Sequence, residues 1–130
     1  MIIFLFHVIF LFQNDLPLVL STYDQNTNAI IIFAKDNRSD LYAKSITSLT
    51  KDPLGLAERN IVIFEIFTTG GIGPGGESLT EEQVASIREY YIIDSGDFSE
   101  ILVSGDFTEI FRSDLPIEVK EIFRNFDEVD

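Results

Sequence analysis

The chain has no cysteine and no tryptophan, a single histidine, and only nine Lys and Arg against 22 Asp and Glu. Without cysteine it has no disulfide, no thiolate nucleophile, no CxxC redox motif and no Cys-type zinc or iron–sulfur site. With His7, inside an apolar run, as its one imidazole, any His-rich metal site is excluded. The formal charge of −13 argues against nucleic acid, because phosphate backbones are held by clustered Lys and Arg that displace counterions. What the chain does have is apolar side chains, 45% of its 130 residues, 12 of them Phe. That content is too high for a disordered chain, and the length fits one domain of about 100–150 residues.

The charge is uneven. Residues 1–76 carry five basic and seven acidic side chains, net −2, whereas residues 77–130 carry four and fifteen, net −11. A solvated face explains such asymmetry without a cationic partner. Residues 1–12, MIIFLFHVIFLF, are an almost unbroken apolar run. As a helix they span about 18 Å, too short for a bilayer core of about 30 Å but matching the apolar stretch of a signal peptide. No basic residue precedes the run and no A-x-A site follows, so a buried core element is the competing reading. The expectation is a signal peptide or N-terminal apolar segment over residues 1–20, export to the periplasm or medium, and no stable membrane span.

Ala29–Phe33 and Ile61–Phe67 are near-continuous apolar runs rich in β-branched residues, the pattern of buried strands. Between them Asp36 and Ser39 are candidate N-caps for a helix with Leu41, Tyr42, Ser45, Ile46 and Leu49 on one face, ended or interrupted by Pro53 and Gly55. Gly70–Gly76 is a connecting loop. Ser78 or Thr80, with Glu81 or Gln83 three residues on, offers a capping box for a helix bearing Val84, Ile87 and Tyr91. Phe98–Val103 and Phe107–Arg112 flank Ser104-Gly105-Asp106 as a hairpin, and Pro116 precedes a helix with the stripe Val119, Ile122, Phe123, Phe126. The order βαβαββα predicts an α/β domain over residues 28–130, a four-stranded mixed sheet with three helices, which is the minimal thioredoxin core. Ser95–Ile101 is echoed by Ser104–Ile110, a repeat of hairpin grammar rather than a solenoid.

Three constellations bear on chemistry. Gly71-Ile-Gly73-Pro-Gly-Gly76 spells GxGxxG between a strand and a helix, with Asp94 eighteen residues beyond Gly76 as a ribose-type acid. Against nucleotide binding, Glu77, Glu81 and Glu82 crowd the helix N-terminus that should receive pyrophosphate. The carboxylates Asp94, Asp97, Glu100, Asp106 and Glu109 lack a calcium-loop pattern, and Glu100 and Glu109 fit exposed sheet positions. Glu65, inside IVIFEIF, reads as edge or solvent-facing before it reads as a buried acid. Lys35, Asp36, Asn37 and Arg38 follow the first strand at its C-terminal end, where open α/β sheets bind ligands; an ordinary strand–helix turn is the alternative. Arg59 and Arg112 are expected to pair with carboxylates.

The segments LGLAERNIVIFEIF, ILVSGDFTEIFRS and LPIEVKEIFRNFD resemble a bacterial family of domains of unknown function with a thioredoxin-like, peroxiredoxin-related fold. Its relatives include domains of animal extracellular sushi-repeat-containing and coiled-coil-domain-containing proteins. The resemblance covers Asn28–Asp127 and implies the same element order and frequent export. It imports no active site: the turn where such enzymes keep a reactive Cys reads Ala34-Lys-Asp-Asn-Arg38, and the segment where they keep a cis-Pro reads Ser95-Gly-Asp-Phe98. The expected function is therefore a non-catalytic thioredoxin-like module, exported, with a protein partner and no cofactor or metal. Lys35, Asp36, Asn37 and Arg38 are its candidate binding residues. A small-ligand or nucleotide-binding protein, or a carboxylate-based enzyme using the glycine-rich loop, is the alternative.

Overall fold

A computed structural model describes residues 16–129. The apolar run 1–12, with His7, lies outside the described residues. The elements are α1 (Leu18–Ser21), β1 (Asn28–Phe33), α2 (Asp40–Leu49), α3 (Pro53–Glu58), β2 (Ile61–Ile66), β3 (Gly71–Ile72), β4 (Ser78–Leu79), α4 (Glu81–Tyr91), β5 (Ser99–Val103), β6 (Glu109–Ser113) and α5 (Val119–Glu128).

One six-stranded sheet runs in the order β4-β3-β2-β1-β5-β6. β1 and β2 are parallel, joined by the α2–α3 crossover, and every other neighbouring pair is antiparallel. The expected count of four strands and three helices is thus corrected to six strands and five helices among the described residues. The additions are short: β3 and β4 have two residues each, α1 has four and α3 six. None is long enough to show a hydrophobic period. α3 exists because Asp52 caps it, accepting from the Gly55 N–H at 2.9 Å, and Pro53 occupies its first turn.

β1 is central and buried on both faces, which explains its unbroken apolar sequence. Its odd residues Ala29, Ile31 and Phe33 point into one core with Phe64, Ile66, Ile101, Val103 and the α4 residues Val84, Ile87 and Tyr91. Leu20 of α1 is fully buried in this core, with Leu16, Val19 and Tyr23 at its margin. Ile30 and Ile32 point into the second core, with Leu49 of α2, Leu102, Ile117, and Ile122 and Phe126 of α5. Of the expected α5 stripe, Val119, Ile122 and Phe126 are buried and Phe123 packs at the edge under the Arg59 guanidinium.

The glycine-rich segment is not a plain connecting loop. It is the β3–β4 hairpin, closed by Gly73 N–H on the Glu77 carbonyl at 2.8 Å and turned at Gly76, whose φ of +84° lies in the left-handed region. The β5–β6 hairpin is present, but Phe107 belongs to its turn, not to β6, and is buried there with φ +63°. Its Gly105 lies against the Gln25 carbonyl, with no space for a Cβ. The echoed turn at Ser95–Asp97 has Gly96 in open space with φ +92°, so the two copies share letters but not roles.

Candidate functional site

β1 delivers the chain to the turn Lys35–Arg38 at the C-terminal end of the parallel strand pair. All four side chains are exposed. The backbone beneath them is closely tied: the Lys35 carbonyl accepts from both the N–H (3.2 Å) and the hydroxyl (2.9 Å) of Thr68. Asp36 folds back to accept from the Arg38 N–H at 2.9 Å, and Ser39 caps α2 by accepting from the Tyr42 N–H at 3.4 Å. The turn is therefore a fixed platform presenting two cations, an acid and an amide. Neither Lys35 nor Arg38 joins an ion pair among the described residues.

Behind the platform lies a row that sequence reasoning missed. Ile32 of β1 is in register with Glu65 of β2 on one side and Glu100 of β5 on the other. Alternation puts all three on the face covered by α2. At about 4.8 Å per strand, the two acids start from backbones about 10 Å apart with Ile32 between them. α2 lowers one hydroxyl onto each: the Tyr42 hydroxyl donates to Glu65, and Ser45, three residues on, donates to Glu100 Oε1 at 2.7 Å. Glu100 Oε1 also accepts from the Ile117 N–H at 3.1 Å, while its Oε2 is buried without a partner. One turn further along α2, Ser48 accepts from the Val119 N–H at 3.0 Å and donates to the Ile117 carbonyl at 3.4 Å.

Glu100 corrects the expectation of an exposed sheet position, since its exposure is 0%. β5 has neighbours on both sides and helices on both faces, so every residue from Ser99 to Val103 is buried. Burial pushes its carboxyl up, opposed by the Ser45 and Ile117 hydrogen bonds. Glu65 is half-buried and engaged by Tyr42, whose own hydroxyl is raised first by burial and then by that carboxylate. Two clues were present: an acid within an apolar run, and Ser45 on the apolar stripe of its helix. Such a row holds structure together. Glu100 has no solvent contact, and Glu65 is already occupied by Tyr42, so neither is placed as a general acid for a bound molecule.

The other candidates resolve simply. In the glycine-rich hairpin, Gly73 N–H is used by the Glu77 carbonyl, Gly76 N–H by the Gly73 carbonyl and Gly75 N–H by the Glu77 carboxylate at 3.1 Å. The amides a phosphate cradle would offer are taken, one of them by an acid. Among the described residues no three His, Asp or Glu side chains converge as a metal site. Glu109 lies on the exposed β6 edge and pairs with Arg112, which also donates to the Tyr91 carbonyl at 2.8 Å. Arg59 forms a two-point contact with Asp127 at 2.9 and 3.0 Å. No helix among the described residues is long and apolar enough to cross a membrane.

Peroxiredoxins are among the solved structures with a similar arrangement. Plasmodium vivax 2-Cys peroxiredoxin in its reduced form aligns with a TM-score of 0.63 at 16% identity, over 85% of this chain and 81% of that one. Plasmodium yoelii thioredoxin peroxidase I aligns at 0.61 and 18% identity over 85% and 76%, and Mycobacterium tuberculosis AhpC at 0.60 and 11% over 84% and 76%. At such identities the likeness shows the fold, which is α/β and thioredoxin-like. A search of curated proteins gives no match. The model of one family matches residues 19–130, nearly all of the described chain, and the protein therefore belongs to the family described as a domain of unknown function, DUF4174.

Proposed function

We propose that this chain is a thioredoxin-like module without thiol chemistry that is exported and acts by binding a protein partner through the Lys35–Arg38 turn. The observation that carries the reading is the state of the turn. In place of a thiol it presents exposed Lys35, Asp36, Asn37 and Arg38 on a backbone fixed by Thr68 and Asp36. The acids behind it are engaged by Tyr42 and Ser45, so what the region presents to solvent is the polar surface of the turn. The apolar run at residues 1–12 and the resemblance to extracellular relatives support export. Because Leu20 is in the core, processing in this reading leaves Leu16 onward in place.

The test is affinity capture from the native envelope and medium, comparing the wild type with a Lys35→Glu/Arg38→Glu variant. A specific protein retained by the wild type and lost by the variant is the expected result; identical retention overturns the role of the turn. Thermal-shift titrations with NAD, ATP and calcium should give no shift. A saturable shift abolished by Gly73→Glu or Asp94→Ala would restore the ligand-binding alternative.

A further inference from the structure

A groove of about 510 Å³ runs between α2 and the segment linking β6 to α5. Its apolar lining comes from Leu41 on one side and Leu115, Pro116 and Ile117 on the other, with Lys44 of α2 and Lys51, just past the end of that helix, also lining it. One acid, Glu118, also lines it.

Two features mark it as more than a surface dent. First, its far wall is held rigid. The Ile117 N–H is tied to buried Glu100, and the Ile117 carbonyl and Val119 N–H are both tied to Ser48. Beside that clamp Leu115 is 60% exposed. Second, the charged lining of the groove is Lys44 and Lys51 against Glu118, net +1 in a chain of net −13, and the preceding turn adds Lys35 and Arg38 against Asp36 and Asp40. None of these four cations joins an ion pair among the described residues, whereas Arg59, Arg112 and Arg124 all do.

We propose that this groove docks an extended acidic and apolar peptide segment of a partner protein, with two carboxylates flanking an aliphatic anchor. Lys44 lies on α2 and Lys51 two residues beyond its last residue, Leu49, so the two ammonium groups stand at different points along the groove. Two separated cations call for two separated anions on one chain, which a single-headed lipid carboxylate does not supply. The apolar floor between them takes the anchor against Leu115 and Pro116. Nucleic acid is disfavoured by that floor and by the charge elsewhere. The overall negative field does not prevent docking, because at physiological salt it is screened within about 8 Å, leaving the two lysines to act on a ligand in contact. The inference deepens the protein-binding reading and rests on it, but moves the main contact from the turn to the adjoining groove.

The test uses the full chain and a fluorescein-labelled synthetic peptide in which two aspartates flank a leucine pair. A control peptide has lysines in place of the aspartates. Saturable anisotropy is expected with the acidic peptide only. Lys44→Glu/Lys51→Glu should weaken it by about tenfold or more, and so should Leu115→Asp. These residues are exposed, so melting curves should be unchanged. In the unsubstituted chain, amide shifts on titration should centre on Lys44, Leu115 and Ile117. The groove proposal is overturned by absent binding, by equal binding of the lysine peptide, or by full affinity in the double variant. It is also overturned if the wild type forms a dimer that the double variant abolishes, for then the occupant is a second copy. Absent peptide binding with turn-dependent capture intact removes the groove alone; peptide binding without turn-dependent capture removes the turn as the contact.

Discussion

The two faces of the sheet are built on different principles. The face under α1 and α4 is sealed by apolar and aromatic packing: Phe64, Phe107 and Tyr23 meet edge to face with centroids 5.3 to 6.4 Å apart. Its buried polar group, the Tyr91 hydroxyl, donates to the Phe107 carbonyl at 2.9 Å. The face under α2 and α5 is also apolar at its centre but is crossed by Glu65, Glu100, Ser45 and Ser48, each spent on a neighbouring element. One face maximises cohesion, whereas the other uses directional bonds to set the position of a loop and a helix. The platform and the groove both border the second face.

Truncation at the centre of the apolar face gives the largest effect expected. Phe64→Ala removes a fully buried ring shared by Tyr23 and Phe107 and should cost about 3–5 kcal/mol in chemical denaturation. The loss should be the same across the acidic and neutral range, because the ionisable neighbour of the ring, Tyr23, is raised by burial and stays protonated there. A strongly pH-dependent loss would mean that the two faces are not independent.

On the polar face the corresponding experiment is titration. Ser45→Ala strips one donor from a buried acid that already has an unpartnered oxygen, and should cost about 1–3 kcal/mol. The sign of the pH effect follows from burial. Glu100 is raised above its ordinary value of 4.5 in the folded state, so its favourable neutral form is fully present below that pH. Its contribution is then lost progressively as pH rises towards the folded value. Glu100→Gln keeps an oxygen for Ser45 and Ile117 and cannot ionise. Its melting temperature relative to wild type should therefore climb as pH rises from 4.5, and a flat difference would refute the upward shift of the carboxyl.

These contrasts mark how far the sequence could be read. β1 and β2 leave continuous apolar runs, β5 is marked by the hairpin turn that follows it, and α2, α4 and α5 leave a helical stripe; each is found within a residue or two of where those marks place it. α1, α3, β3 and β4 are too short to leave one. The exposed turn Lys35–Arg38 was legible because its location follows from strand order alone. Glu100 was not, because alternation along β5 gives only its side of the sheet; whether that side is wet depends on α2 and the 114–118 segment closing over it. Ser45 was placed on the correct face, but its partner lies 55 residues away and no local pattern names it.

A smaller effect is expected at the end of α4. Ile92 caps that helix in the left-handed region, φ +57°, while 85% exposed. A β-branched residue gains nothing there from packing and carries a steric cost. Ile92→Gly should therefore stabilise by about 1 kcal/mol, less whatever glycine loses in unfolded-state entropy. Destabilisation would show that the added unfolded-state entropy of glycine outweighs the relief of left-handed strain.

The smallest contrast compares the two helix caps. Thr80 and Gln83 satisfy each other's backbone N–H groups at 2.9 and 3.1 Å, a complete capping box at the start of α4. Ser39 caps α2 alone, through one contact at 3.4 Å. Capping losses are typically about 1 kcal/mol, so Thr80→Ala should fall near that value and Ser39→Ala at a few tenths. The difference has a physical source beyond the bond length. α2 is already anchored by Tyr42, Ser45 and Ser48 to three separate elements, so its first turn is held from below as well as from its cap. In Glu100→Gln, where the buried acid can no longer ionise, the Ser39→Ala loss should stay small at every pH. In Ser45→Ala, where one anchor is gone, it should grow towards the Thr80→Ala value, because the cap then carries a larger share of fixing the turn that bears Lys35–Arg38.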